Sequence, residues 1–535
     1  MVKQFLTVVA AAGLVVGCSS EVQLNVTVSD PCNQSVLAAT EHIEITVYSQ
    51  SEGLSQAASW SKADGGGQLP LVPLMSDAVV SVTTRASDAS GAPGAAIAGA
   101  TIGSIDLSGI QGATTTDITV IPGKVDTFAN TTNAADPRQC TELIADRRDH
   151  TATLLPDGRV AIVGGVRERG NLATFWETTE VFDPVAGTFS KGPDLEWMRR
   201  GHRATTLSDG NIFYTGGKWR YVEADGQTVN TQIWRLALTL DSETLQFGTP
   251  ATLRDPRAYH SATLLSDGRV LLAGGTCDPD APATERDPDD PCNDLEPDNV
   301  CVNGYLVTTE IYDPATGEAT CGPNLLEGRA HHSAVKVGAS SIALIGGRND
   351  TGVIGTIEFI TVGDSSGINA ANSLTTPRSH MAALLVPNQN AVFVAGGISA
   401  AVSSPENGVG LQSVEIISLN RSNLSLSTVI CADPALQLTQ SRGAPGFALV
   451  AGRALLAGGI TENGEVTRSA EMVTFGNLSE CSLATQVTTG NLSKARASTE
   501  LTTLLGGDVL VTGGVNFEGG EIGTVGAGEI YTTER

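Results

Sequence analysis

The chain has 535 residues, 41% of them hydrophobic and 17% charged, and a net charge of −26. That length exceeds one ordinary core and allows two or more, and the apolar content excludes a disordered chain. The acidic balance repels phosphate backbones and anionic headgroups, which excludes nucleic acid as a partner and electrostatic attachment to a membrane.

Residues 1–18 read as an address. Lys3 supplies a positive start, and the apolar stretch from Phe5 to Val16 is too short to span a bilayer. The end of that stretch, Val15-Val16-Gly17-Cys18, resembles the lipobox of bacterial lipoproteins. The resemblance implies cleavage before Cys18, a lipid on its thiol and a palmitate-type acyl chain on the new amino terminus. Ser19 at the next position implies the outer membrane of the cell envelope. An ordinary secretory peptide with a chance cysteine is the alternative.

Residues 19–123 alternate in the manner of strands. In VQLNVTVS the apolar Val22, Leu24, Val26 and Val28 share one face, and HIEITVYS, VVSVTTR and TTTDITVIPG repeat the style. The pattern predicts a small β-sandwich of immunoglobulin-like or transthyretin-like type. No catalytic constellation appears in it, so its expected job is to hold the rest of the chain away from the anchor.

Residues 124–535 are dominated by a repeat. A Gly-Gly pair closes a short apolar run at Gly164-Gly165, Gly216-Gly217, Gly274-Gly275, Gly346-Gly347, Gly396-Gly397, Gly458-Gly459 and Gly513-Gly514. Each run follows a turn and another strand-like run, and three of the turns are Asp-Gly, a strong hairpin signal because a tight primed turn needs positive φ. A third and a fourth run follow, such as TEVFDP and TFSKGP. Four strands repeating every fifty to seventy residues make a propeller blade. The glycine pair, the Arg and His before strand one and the "YDP" after strand three resemble kelch repeats. The expected fold is therefore all-β: a seven-bladed kelch-type β-propeller preceded by the small sandwich. The seventh repeat lacks a fourth strand, and an open blade would expose unpaired edges. A strand from Val125–Leu143 is expected to close the ring.

Each blade repeats polar residues. His150, His202, His260 and His332 lie fourteen residues before the first glycine, and His380 is placed with them by allowing a turn two residues longer. Either these imidazoles form an axial ligand or metal site, or they bond neighbouring blades together. One Arg per blade (Arg147 or Arg148, Arg199 or Arg200, Arg257, Arg329, Arg378, Arg442, Arg496) and a Glu in six third strands predict a ring of buried ion pairs. Recurrence assigns them to structure, since catalysis needs a unique constellation.

RAYHSATLLSDGRV, with Tyr259 and His260, resembles a segment of galactose oxidase and its copper relatives. The resemblance implies that Tyr259 and His260 ligate copper in an oxidoreductase. The cross-linking Cys of that family cannot be placed here. A second alternative is a carbohydrate-acting propeller enzyme such as a mutarotase or sialidase, although the sialidase Asp-box is absent. The leading expectation is a non-catalytic, lipid-anchored scaffold that recognises a protein or a glycan.

The loop from Cys277 to Cys301 carries a dense acidic run. Asp287, Asp289, Asp290, Asp294 and Asp298 suit Ca²⁺, a hard ion that prefers several oxygen ligands. A solvated acidic loop and a partner-binding loop are the other readings. Besides Cys18 there are eight cysteines, Cys32, Cys140, Cys277, Cys292, Cys301, Cys321, Cys431 and Cys481. In an exported chain they predict up to four disulfides of unspecified pairing.

Overall fold

The computed structural model describes residues 6–8 and 21–533, apart from 33–35, 50, 52, 62–70, 74, 76, 106, 108–114, 138, 171, 223–228, 279–299, 364–366, 371–372, 400–407, 425–426 and 519–520. Apart from the short 3-10 turn Leu478–Glu480, its named elements are all strands.

The N-terminal part is two sheets packed face to face. In one, Glu21–Val28 lies parallel to Thr115–Val120 and antiparallel to Leu6–Val8 and Val72–Pro73. The other has five strands built around His42–Ser49 and Ala78–Ser87. The alternation decides what is buried. Leu24, Val26 and Val28 meet Ile43, Ile45, Val47, Val80 and Val82 in one core, while the residues between them face outward.

The rest of the described chain holds seven four-stranded antiparallel sheets of one design, the blades of a propeller. Each first strand neighbours the first strands of the sheets before and after it, and the cycle closes from Glu500–Thr503 back to Thr151–Leu154. The second strands, such as Val160–Val163, Ile212–Thr215 and Val270–Ala273, are buried throughout. That is why they read as unbroken apolar runs rather than alternating ones. The glycine pair ends each run because its backbone turns through positive φ, +63° and +98° at Gly164 and Gly165. A Cβ on Gly164 would stand 2.7 Å from the Arg199 carbonyl oxygen of the next blade, so Gly164 also sets the blade spacing.

The fourth strand of the last blade is Thr127–Asn130, which pairs with Glu529–Thr532. It follows directly on Gly123–Lys124, which still pairs with Ala98 and Gly99 of the N-terminal sheet. The disulfide Cys32–Cys140 ties the two parts together a second time. Cys277–Cys301 and Cys431–Cys481 are also bonded, and Cys321 is disulfide-bonded as well. Cys431–Cys481 joins the fourth strand of one blade to the third-to-fourth connection of the next, across 50 residues. Replacing Cys481 by serine is expected to cost about 2–5 kcal/mol, read as a lower melting temperature under oxidising conditions.

The repeated arginines are fully buried: Arg147, Arg199, Arg257, Arg329, Arg378, Arg442 and Arg496. Six of them pair with the buried carboxylates Glu180, Glu310, Glu358, Glu415, Glu471 and Glu529. Through its Nη1 each guanidinium also donates to two backbone carbonyls. Arg147, for instance, reaches Gly164 and Thr178 at 2.6 and 3.0 Å. Each carboxylate accepts from the backbone ahead of the Arg. Glu180 takes the N–H groups of Ile144 and Ala145 at 2.7 and 2.9 Å. A buried charge needs a partner and full hydrogen bonding, and this clasp provides both. It fastens the third strand of each blade to the segment that enters the blade.

Candidate binding site at the propeller axis

Just before each first strand the backbone passes through one left-handed residue. These are Asp149, Gly201, Tyr259, His331, His380, Ala444 and Ser498. They sit side by side around one mouth of the central channel. The N–H of Gly201 donates to Asp149, Tyr259 to Gly201, His331 to Tyr259 and His380 to His331, at 2.7–3.1 Å. Positive φ at bulky residues is costly and persists only where surrounding structure imposes it, commonly at functional sites.

The next residue in each blade is His150, His202, His260 or His332, with Met381, Pro445 and Thr499 in the remaining three. These histidines bond neighbouring blades. His150 Nε2 meets Thr512 Oγ1 at 3.0 Å, His202 meets Thr151 at 3.1 Å, His260 meets Thr215 at 2.8 Å and His332 meets Ser261 at 2.9 Å. Burial holds all four imidazoles well below their usual pKa, with His150 at about 3. His380 does not belong with them. The turn in its blade, Val386–Asn390, is one residue longer than Val337–Ser340 in the preceding blade, not two. His380 therefore takes the left-handed position and lines up with His331 and Tyr259.

The mouth opens into a cavity of about 610 Å³. Its charged lining is Arg148, Arg200, Arg203, Lys218 and Arg348 against Asp149 and Glu500. A chain of net charge −26 thus encloses a cation-rich space. Within it the Tyr259 hydroxyl donates to Asp149 Oδ2 at 3.1 Å, and Lys218 Nζ stands 4.9 Å from the Tyr259 ring centre. His331 stacks on the other rings, 4.2 Å from Tyr259 and 4.1 Å from His380. Arg148 and Arg200 share Glu168, at 2.7 and 3.2 Å, and flank Asp149.

The electrostatics follow from this crowding. Burial works to raise the Asp149 pKa, but Arg148, Arg200 and the Tyr259 hydrogen bond outweigh it and keep the carboxylate ionised. Burial and then Arg200 lower Lys218 to about 8. Burial pushes Glu500 up to about 7, opposed by Arg203 and assisted by Asp149. Lys218 makes no ion pair among the described residues, so its charge faces the cavity.

The copper site implied by Tyr259 and His260 does not assemble. The Tyr259 hydroxyl is committed to Asp149, and the His260 imidazole turns between blades to Thr215. No cluster of three or more His, Cys, Asp or Glu side chains suited to a metal occurs among the described residues. Asp287, Asp289, Asp290, Asp294 and Asp298 lie outside the described residues. Sequence reasoning missed Asp149, Lys218, His331 and Glu500. They differ from blade to blade, so a search for what repeats passes over them.

No family model matches the chain, and no curated protein matches it. Among solved structures, a fungal alcohol oxidase of the AA5 family, in complex with copper, aligns with a TM-score of 0.51 at 13% identity over 73% of this chain and 75% of that one. YjhT aligns with a TM-score of 0.45 at 14% identity, over 65% of this chain and 99% of that one. The likeness to the oxidase is one of fold, an all-β propeller of the galactose-oxidase type.

Proposed function

We propose that the protein is a binding protein of the cell envelope, anchored by lipid at Cys18, whose axial cavity takes a small acidic ligand such as an acidic sugar. The observation that carries this reading is the cation-rich cavity in a strongly acidic chain. Five cations, two of them sharing Glu168, against Asp149 and Glu500 leave Arg203, Lys218 and Arg348 to draw an anion into a partly open cavity, and burial strengthens each contact. A volume of about 610 Å³ suits a ligand of one or two sugar rings. Calorimetric titration with glucuronate, against glucose as the neutral control, tests it. Lys218→Met is expected to weaken glucuronate binding by about tenfold or more, the range for a charge-assisted hydrogen bond.

The pH dependence has a definite sign. Below about pH 7 Glu500 is neutral, and below about pH 8 Lys218 is charged. Both changes favour an anion, so affinity for glucuronate falls as pH rises from 6 to 9, on the order of tenfold for the appearance of one like charge. Glu500→Gln removes the part of that fall between pH 6 and 8. Binding with the same pH profile in Glu500→Gln and the unaltered protein would contradict the assignment.

One observation favours a second reading. A carboxyl held near pH 7 inside a cavity is suited to proton transfer, as a carbohydrate-acting enzyme requires. Slow turnover of an acidic sugar, lost in Glu500→Gln with binding retained, would establish it.

The anchor is tested separately. Cys18→Ser is expected to abolish labelling with a palmitate analogue and to release the protein from membranes. Cleavage before Cys18 would also remove the strand Leu6–Val8. The acidic loop closed by Cys277–Cys301 is proposed to carry Ca²⁺, which elemental analysis of the purified chain would detect.

A further inference from the structure

The second blade breaks the Arg–Glu rule. Its third strand carries Leu238 opposite Tyr214, the position that Glu180 holds opposite Ile162 in the first blade. Leu236 likewise stands where Thr178, Thr308, Thr356, Ser413 and Ser469 offer a hydroxyl to the arginine. Both side-chain acceptors are therefore replaced by leucine, yet the arginine is kept. Arg199 is fully buried. Its Nη1 donates to the carbonyls of Gly216 and Leu236 at 3.1 and 3.4 Å, and its Nε and Nη2 have no partner.

The backbone donors are left open too. In all six paired blades the residue three before the Arg gives its N–H to the carboxylate: Ile144, Arg254, Leu326, Thr375, Thr439 and Ser493. The equivalent Glu196, and Trp197 after it, have no acceptor for their N–H groups among the described residues. The Glu196 side chain is exposed and forms no ion pair with Arg199. The Tyr214 hydroxyl, on the strand beside Leu238, is buried without a partner as well. Leucine ends level with the carboxyl carbon of glutamate, one atom short of its oxygens. The Arg and the N–H three residues before it hold a carboxylate in six blades, and the next N–H does so in three, at Ala145, Asp255 and Thr376; in the second blade the same donors are left without one beside Leu238.

We propose that the second blade binds a chloride ion at this point, held by Arg199 Nε and Nη2 and the N–H groups of Glu196 and Trp197. A guanidinium stays protonated even where burial lowers it to about 10, so a full positive charge is buried here. Water satisfies the donors but leaves that charge uncompensated, whereas an anion does both. A monovalent anion supplies the single negative charge that the glutamate carboxylate supplies in the other blades. The blade fastening that glutamate supplies elsewhere then depends on a diffusible ion.

The test compares thermal unfolding of the full chain in sodium chloride and sodium gluconate at equal ionic strength. Bromide-soaked crystals of the unaltered protein supply a second readout by anomalous scattering. The expected result is a saturable rise of several degrees in chloride, a bromide peak beside Arg199, and loss of the chloride effect in Leu238→Glu, which brings its own carboxylate. Equal melting in both salts without a bromide peak at Arg199 would overturn the proposal. So would a chloride effect that persists unchanged in Leu238→Glu.

Discussion

Replacing Glu415 by glutamine is expected to lower stability by about 3–5 kcal/mol, although the two side chains are nearly equal in size. Arg378 and Glu415 are both fully buried, 2.6 Å apart. Glu415 also accepts from the N–H groups of Thr375 and Thr376 at 2.7 and 3.1 Å. The neutral amide leaves the Arg378 charge uncompensated and turns an NH₂ group toward one of the donors. A double variant, Arg378→Met with Glu415→Leu, is expected to recover part of the loss, because two apolar side chains carry no buried charge. Denaturant midpoints for the three variants check this. Equal stability of Glu415→Gln and the unaltered chain would show that the clasp contributes little.

The second large effect is expected at the seam of the ring. Phe128 lies in the closing strand, buried, with its ring centre 4.9 Å from that of Tyr531 in the last strand. Phe128→Ala removes that packing and is expected to cost about 3–5 kcal/mol. The site matters more than its size. Thr127–Asn130 is the one strand of its blade that comes from the other end of the propeller sequence, so loosening it opens the seam where the ring closes. Hydrogen exchange in Phe128→Ala is expected to rise first in Glu529–Thr532 and Thr127–Asn130. Uniform loosening of all blades would contradict closure through this strand.

The sequence displays some of this plainly and hides the rest for physical reasons. Repetition made the scaffold legible: the glycine pairs need positive φ in every blade, and the arginine clasp needs the same residue types at the same spacing. Val26 and Val28 announced a one-sided strand in the same way, through alternation alone. The site was hidden because it uses the positions where blades differ. Asp149, Gly201, Tyr259, His331, His380, Ala444 and Ser498 occupy equivalent places with no residue type common to all, only the two histidines matching, and only the closed ring brings them together. His380 was misplaced by one step because a turn can lengthen by one residue without leaving a mark in the flanking apolar runs. Tyr259 and His260 show the same limit in another form. Adjacent residues resembling a copper pair point in different directions, the left-handed Tyr259 to Asp149 and the His260 imidazole to Thr215. The missing glutamate at Leu238 is visible in the sequence, but its meaning depends on Arg199 being buried beneath it.

Titration of glucuronate and glucose into the purified chain at pH 6.5, repeated with Lys218→Met, tests the central claim most directly. The account predicts saturable binding of glucuronate, at least tenfold weaker binding of glucose, and a loss of glucuronate affinity in the variant. Equal binding of the two sugars, or glucuronate binding untouched by Lys218→Met, would contradict a cation-rich axial cavity as the binding site.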